Sequence, residues 1–169
     1  MWLRIEQKIL QINEASGIEI IILEDDKFII NADTASTKNN AIIKGKEING
    51  LSQLSELTEK IDLAIPVSVV VNGKGVLIKK TSLSIGNGIV QSVLPNANPN
   101  DFYFEHFSTQ HNEIISIVRK ETADKIIAEL KRLGFKVISI SLGFSAINNI
   151  LPFVKADALK QIESDSLLL

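Results

Sequence analysis

The stretch Asn112–Leu151, NEIISIVRKETADKIIAELKRLGFKVISISLGFSAINNIL, decides the fold class of this chain. Ile114, Ile115, Ile117 and Val118 form a short β-branched run, the composition of a strand. Ala123, Ile126, Ile127, Leu130 and Leu133 then recur at helical spacing, with Lys, Glu and Arg between them. Gly134 follows the last of these, where a left-handed C-cap favours a residue without Cβ. Phe135, Val137, Ile138, Ile140 and Leu142 read as a second strand, and Ser145 onward as a second helix. The unit is expected to be a β-α-β crossover over about 112–142. Its two strands should be parallel neighbours, and Ile127 and Leu130 should pack on the sheet. No residue in the unit carries obvious chemistry, so it speaks for a scaffold.

Working outward, Trp2, Ile5, Ile9 and Ile12 share one face if residues 1–13 are helical. Ile18–Leu23 and Phe28–Ile30 flank Glu24-Asp25-Asp26-Lys27 as a hairpin. The segment Ala32–Asn40, rich in Ala, Thr, Ser and Asn, reads as a loop, and Ala41–Lys46 as a third strand. Leu51, Leu54, Leu57 and Ile61 mark a short amphipathic helix. Leu63–Val71 is a strand that Pro66 starts or kinks. Asn72-Gly73-Lys74-Gly75 should turn it back into Val76–Lys80 as a second hairpin. Gly86–Leu94 reads as a short helix or turn, and Pro95–Asp101 as a polar loop. Phe102, Phe104 and His106 then alternate with Tyr103, Glu105 and Phe107 in a strand with aromatic residues on both faces. A last helical pattern runs through Ala156, Leu159 and Ile162. The apolar ending Leu167-Leu168-Leu169 is what a cut before a following strand would leave.

The totals narrow the function. The 169 residues suit one domain or two small lobes. The formal net charge is −2 with the charges dispersed, so no basic nucleic-acid patch forms. There is no Cys, hence neither disulfide nor thiolate metal site, and this suits a reducing cytoplasm. Arg4, Glu6 and Lys8 interrupt any signal-peptide core. Val137–Val154 lacks charge, but its Ser, Asn, Gly and Pro content fits a buried strand and helix better than a membrane span.

The chemical patterns in the sequence are weak. No G-x-G-x-x-G and no G-x-x-x-x-G-K-[ST] occurs; Gly73-Lys74-Gly75 and Gly86-Asn87-Gly88 read as turns. No Asp stands two residues before a Gly. His106 and His111, with Asp101, Glu105 and Glu113, could be drawn as a metal set. However, Glu105 and His106 should face opposite sides of a strand. Ser68 and Ser145 lie in apolar surroundings without a sequence-near His. Arg119-Lys120, at a helix start, opposes the helix dipole and reads as surface. The expected sets of catalytic, cofactor-binding and metal residues are therefore all empty.

The order of elements resembles the PilM and GspL family, actin-like scaffold proteins of type IV pilus assembly and type II secretion. Four segments carry the resemblance: Gly17–Asp33, Lys60–Leu83, Ile89–Phe107 and Glu113–Leu151. It implies a ribonuclease H-like, actin-like α/β lobe over 17–155. Residues 1–16 would be an N-terminal helix or arm, and 156–169 a C-terminal helix leading to a second lobe. It also implies a non-enzymatic cytoplasmic scaffold, peripheral at the inner membrane, that binds an inner-membrane assembly protein or a secretion ATPase. The family's phosphate turn would fall near Ser16-Gly17-Ile18-Glu19-Ile20, which lacks its Asp and second Gly, so no nucleotide cofactor is expected. The alternatives are an actin-like ATPase or sugar-kinase relative without its catalytic half, and an unrelated α/β ligand-binding domain.

Overall fold

A computed structural model describes residues 13–39, 41–82, 88–108 and 112–148. The expected helices over 1–13 and 156–169 lie outside those residues, as do the turn at 86–87 and His111. Among the described residues eight strands run in chain order: β1 (Glu14–Ile22), β2 (Phe28–Lys38), β3 (Ala41–Leu51), β4 (Pro66–Gly73), β5 (Leu77–Ser82), β6 (Phe102–Ser108), β7 (Asn112–Arg119) and β8 (Lys136–Leu142). The described residues also form three α-helices: α1 (Ile89–Val93), α2 (Lys120–Arg132) and α3 (Ser145–Asn148). The strands form a five-stranded sheet, order β3-β2-β1-β4-β8, and a three-stranded sheet, order β5-β7-β6.

Alternation places Ser16, Ile18, Ile20 and Ile22 of β1 inside, and Val67, Val69 and Val71 of β4 beside them. β1, β4 and β8 are mutually parallel; β2 and β3 are antiparallel additions. The Leu54–Glu59 segment forms a 3-10 helix whose Leu54 and Leu57 enter the core with Ile61. Its start is capped by Glu56, whose carboxylate accepts from the N–H groups of Gln53 and Ser52 and is thereby held below the usual range. α2 lays Ala123, Ile126 and Leu130 on the same core. Gly134, at φ 96°, ends it in the left-handed conformation expected of that position.

Strand β7, helix α2 and strand β8 do follow one another, but β7 and β8 are not parallel neighbours. β7 pairs antiparallel with β5 on one side and β6 on the other, while β8 pairs with β4. The short connection between β6 and β7 makes a local hairpin, and β5 takes the remaining edge, so β7 has none left for β8. The expected second hairpin fails for the same reason: β4 lies between β1 and β8, and the turn Gly73–Gly75 instead carries the chain into the other sheet. Gly73 is needed there, since its φ is 85° and a Cβ would stand 2.3 Å from the Ile22 carbonyl oxygen.

Three further segments differ from their sequence expectation. Ala32–Lys38 is strand rather than loop, because backbone pairing with β3 supplies what its small polar side chains do not. Strand β1 begins at Glu14, within the segment expected to be an arm. Ile127 is half-buried, and Ile126 takes the buried place beside Leu130. Pro66 is the first residue of β4, a position without a ladder donor to lose.

Leu130 is fully buried and Lys131 exposed on the same helix. Leu130→Ala is expected to lower stability by about 2–5 kcal/mol. Lys131→Ala should stay within about 0.5 kcal/mol. Urea melts of the two variants check the assignment.

A candidate docking groove between the two sheets

The site residues drawn from sequence do not converge. In β6, His106 is exposed on the face shared with Ile115, while Glu105 lies on the face shared with Ser116. The Glu105 carboxylate accepts from the Leu142 N–H at 2.6 Å. Asp101 lies in the 3-10 turn Pro99–Asp101 and is exposed, and Glu113 sits at the far end of β7. Among the described residues no cluster of His, Asp and Glu is arranged to hold a metal. Ser68 accepts from Ser139 Oγ at 2.8 Å, and Ser145 donates to Ser116 at 3.0 Å, so both hydroxyls hold structure together. Arg119 and Lys120 lie over the rings of Phe102 and Tyr103, each 5.4 Å from the centroid. Ser16–Ile20 lies within β1, paired on both sides by β2 and β4.

What sequence reasoning missed is a place between elements. β6 ends one sheet and β8 ends the other, and they meet over the start of α2. The gap is a groove of about 190 Å³ lined by Tyr103, Phe104, Glu105, Ala123, Ile140 and Leu142. Its lining is mainly apolar, and its rim leaves large side chains in water: Tyr103 is 41% exposed, Phe104 45% and Ile138, further along β8, 55%. Such a cluster beside an open sheet edge is where an extended segment can add main-chain hydrogen bonds and seat apolar side chains. The sequence signal was the aromatic alternation of residues 102–107, but only the fold brings it opposite β8.

Two polar contacts fix the groove's shape. The Glu105–Leu142 bond ties the two edges together. Tyr103 Oη donates to Asp124 Oδ1 at 3.0 Å, fastening the β6 rim to α2. That bond exists only for the neutral phenol, and a phenolate would face the Asp124 carboxylate, so the Tyr103 pKa is raised. Tyr103 is the only tyrosine in the chain, so its ultraviolet titration is unambiguous. The phenolate midpoint should lie above the ordinary value of about 10. Asp124→Asn should bring it down toward that value.

No family model matches this chain, and no curated protein matches it in sequence. Solved structures are similar to it. The cytoplasmic domain of EpsL, an inner membrane component of the type II secretion system of Vibrio cholerae, aligns over 75% of this chain and 57% of its own, with 15% identity and a TM-score of 0.50. The PilM–PilN type IV pilus biogenesis complex aligns over 76% of this chain and 47% of that one (11% identity, TM-score 0.45). A Bacteroides thetaiotaomicron protein of actin-like ATPase fold and unknown function aligns over 77% and 52% (12% identity, TM-score 0.42). The chain thus spans between about half and three-fifths of the chains it matches. The likeness to EpsL shows the fold, an α/β lobe of actin-like type, and agrees with the resemblance to the PilM and GspL family.

Proposed function

We propose that this chain is a non-enzymatic scaffold lobe of a type II secretion or type IV pilus-like assembly. It acts on the cytoplasmic side of the inner membrane and holds an extended segment of an inner-membrane assembly protein in the groove between β6 and β8. The observation that carries this reading is the groove itself: two strands that, among the described residues, each end a sheet, with Tyr103, Phe104 and Ile138 exposed around them. A segment entering it gains backbone pairing along an edge and buries aromatic surface, the combination from which binding hot spots are made. No strong charge field is required, because a membrane-tethered partner is already locally concentrated. The fold shared with the EpsL cytoplasmic domain supports the same setting.

The reading is tested by titrating the full chain with cytoplasmic segments of single-span inner-membrane proteins encoded beside it. Phe104→Asp and Ile138→Asp should each weaken binding about tenfold, or about 1.4 kcal/mol. Both residues are substantially exposed, so the urea midpoint should hold. Full affinity in both groove variants would move the site elsewhere, and preferential capture of a secretion ATPase would change the partner.

Two features support a chain that does not use nucleotide. The N–H groups of Ser16–Ile20 lie in a strand paired on both sides, whereas a phosphate turn leaves several of them free to converge on one anion. The turn that follows carries Glu24, Asp25 and Asp26, whose carboxylates repel a polyphosphate. Calorimetric titration with Mg-ATP should show no site tighter than about millimolar, near 4 kcal/mol. A micromolar site would favour the actin-like ATPase alternative.

A further inference from the structure

The groove between β6 and β8 has one closed end and one cationic end. At the closed end the Leu142 N–H donates to the Glu105 carboxylate. The next N–H along the chain, that of Gly143, donates to the Val71 carbonyl in β4. Backbone groups alternate in direction along a strand, so the N–H and C=O of Ile140 point away from β4, as those of Leu142 do. An extended segment can pair with β8 at Ile140 but is stopped at Leu142, where Glu105 already holds the donor. Glu105 and Tyr103 share one face of β6, two residues or about 7 Å apart, so the apolar floor between them seats a short run of side chains.

At the Tyr103 end stand two consecutive cations, each laid on an aromatic ring of β6. Lys120 Nζ is 5.4 Å from the centre of the Tyr103 ring, and the Arg119 guanidinium is 5.4 Å from that of Phe102. Such stacking keeps long side chains in place, so their charge stays at this end. Lys120 and Arg119 also line a second hollow, of about 300 Å³, with Asn100, Asp101 and Glu121. The Lys120–Tyr103 stack thus stands between the two hollows. The nearby carboxylates are mostly engaged: Glu121 pairs with Lys125 at 2.8 Å, and Asp124 accepts from Tyr103 Oη. Among the described residues neither Arg119 nor Lys120 is in an ion pair, which leaves two cations against Asp101.

We infer that the groove takes an extended segment whose apolar part is flanked on one side by acidic residues, an occupant that presupposes the docking role proposed above. Its aliphatic or aromatic side chains lie against Tyr103, Ile140 and Leu142, and its carboxylates lie against Lys120 and Arg119. Opposite charge at one end fixes the direction in which the segment lies and disfavours a basic one.

Random peptides displayed on phage, panned on the full chain and on its Phe104→Asp and Ile138→Asp variants, test this. Peptides retained by the parent and lost by both variants, at unchanged circular dichroism, are groove binders. They should carry Asp or Glu at one end well above the frequency in the unselected library. For one such peptide, synthesised, Arg119→Glu with Lys120→Glu should weaken binding about tenfold. A copy with its acidic residues replaced by Lys should prefer the charge-reversed variant. Arg119→Gln with Lys120→Gln, a milder change, should weaken binding less and flatten its salt dependence. Groove binders without acidic bias, or an acidic bias that both Arg119/Lys120 variants leave intact, would overturn the inference and leave the groove reading standing. Peptides held equally by the parent and both groove variants, or capture of no peptide, would overturn the groove reading and the inference together.

Discussion

The parallel pairing of β1 with β4 is the contact on which the rest of this structure depends. Ile18 stands against Val69 and Ile20 against Val71, all of them almost wholly shielded from water. A parallel pair cannot be closed by a tight turn, so β2, β3 and the 3-10 helix must all fit between its two strands. Those intervening elements become the antiparallel half of the sheet and one part of the core cover. With β1 on one side of β4, the other side is left for β8, and α2 is carried over the core to reach it.

The second sheet follows from the same saturation of edges. At Gly73 the chain has no pairing position left beside β4, and it turns away into β5. β5, β7 and β6 then build a small antiparallel sheet with its own apolar cluster of Val90, Phe102, Ile115 and Ile117 under α1. Its other face is fastened to the large sheet by the Leu142–Glu105 bond and to α3 by the Ser145–Ser116 bond. Because, among the described residues, each sheet ends at this seam, the groove is a consequence of how the sheets meet and not an added feature. The neutral phenol of Tyr103, held by Asp124, keeps its rim in place. The exposed Ile42 and Ile43 of β3 lie at the far edge of the large sheet from β8.

The sequence by itself determined the elements and much of the lining. The β-branched runs of β1, β4 and β7, the helical period of α2 and the stop at Gly134 are local properties: each depends on side-chain shape, spacing of apolar residues or the freedom of a residue without Cβ. The aromatic alternation of β6 was visible for the same reason. The tertiary structure alone decided which strands are neighbours. Hydrogen-bonding edges are identical along any backbone, and nothing in residues 112–142 records that β5 and β6 occupy both sides of β7 before β8 arrives. That competition for edges separated the expected β-α-β unit between two sheets and dissolved the expected second hairpin. It drew the polar run Ala32–Lys38 into a strand, and it set Tyr103 and Glu105 opposite Ile140 and Leu142. The candidate site was illegible in sequence because it is a gap between two strand edges about forty residues apart, and a gap has no residues of its own.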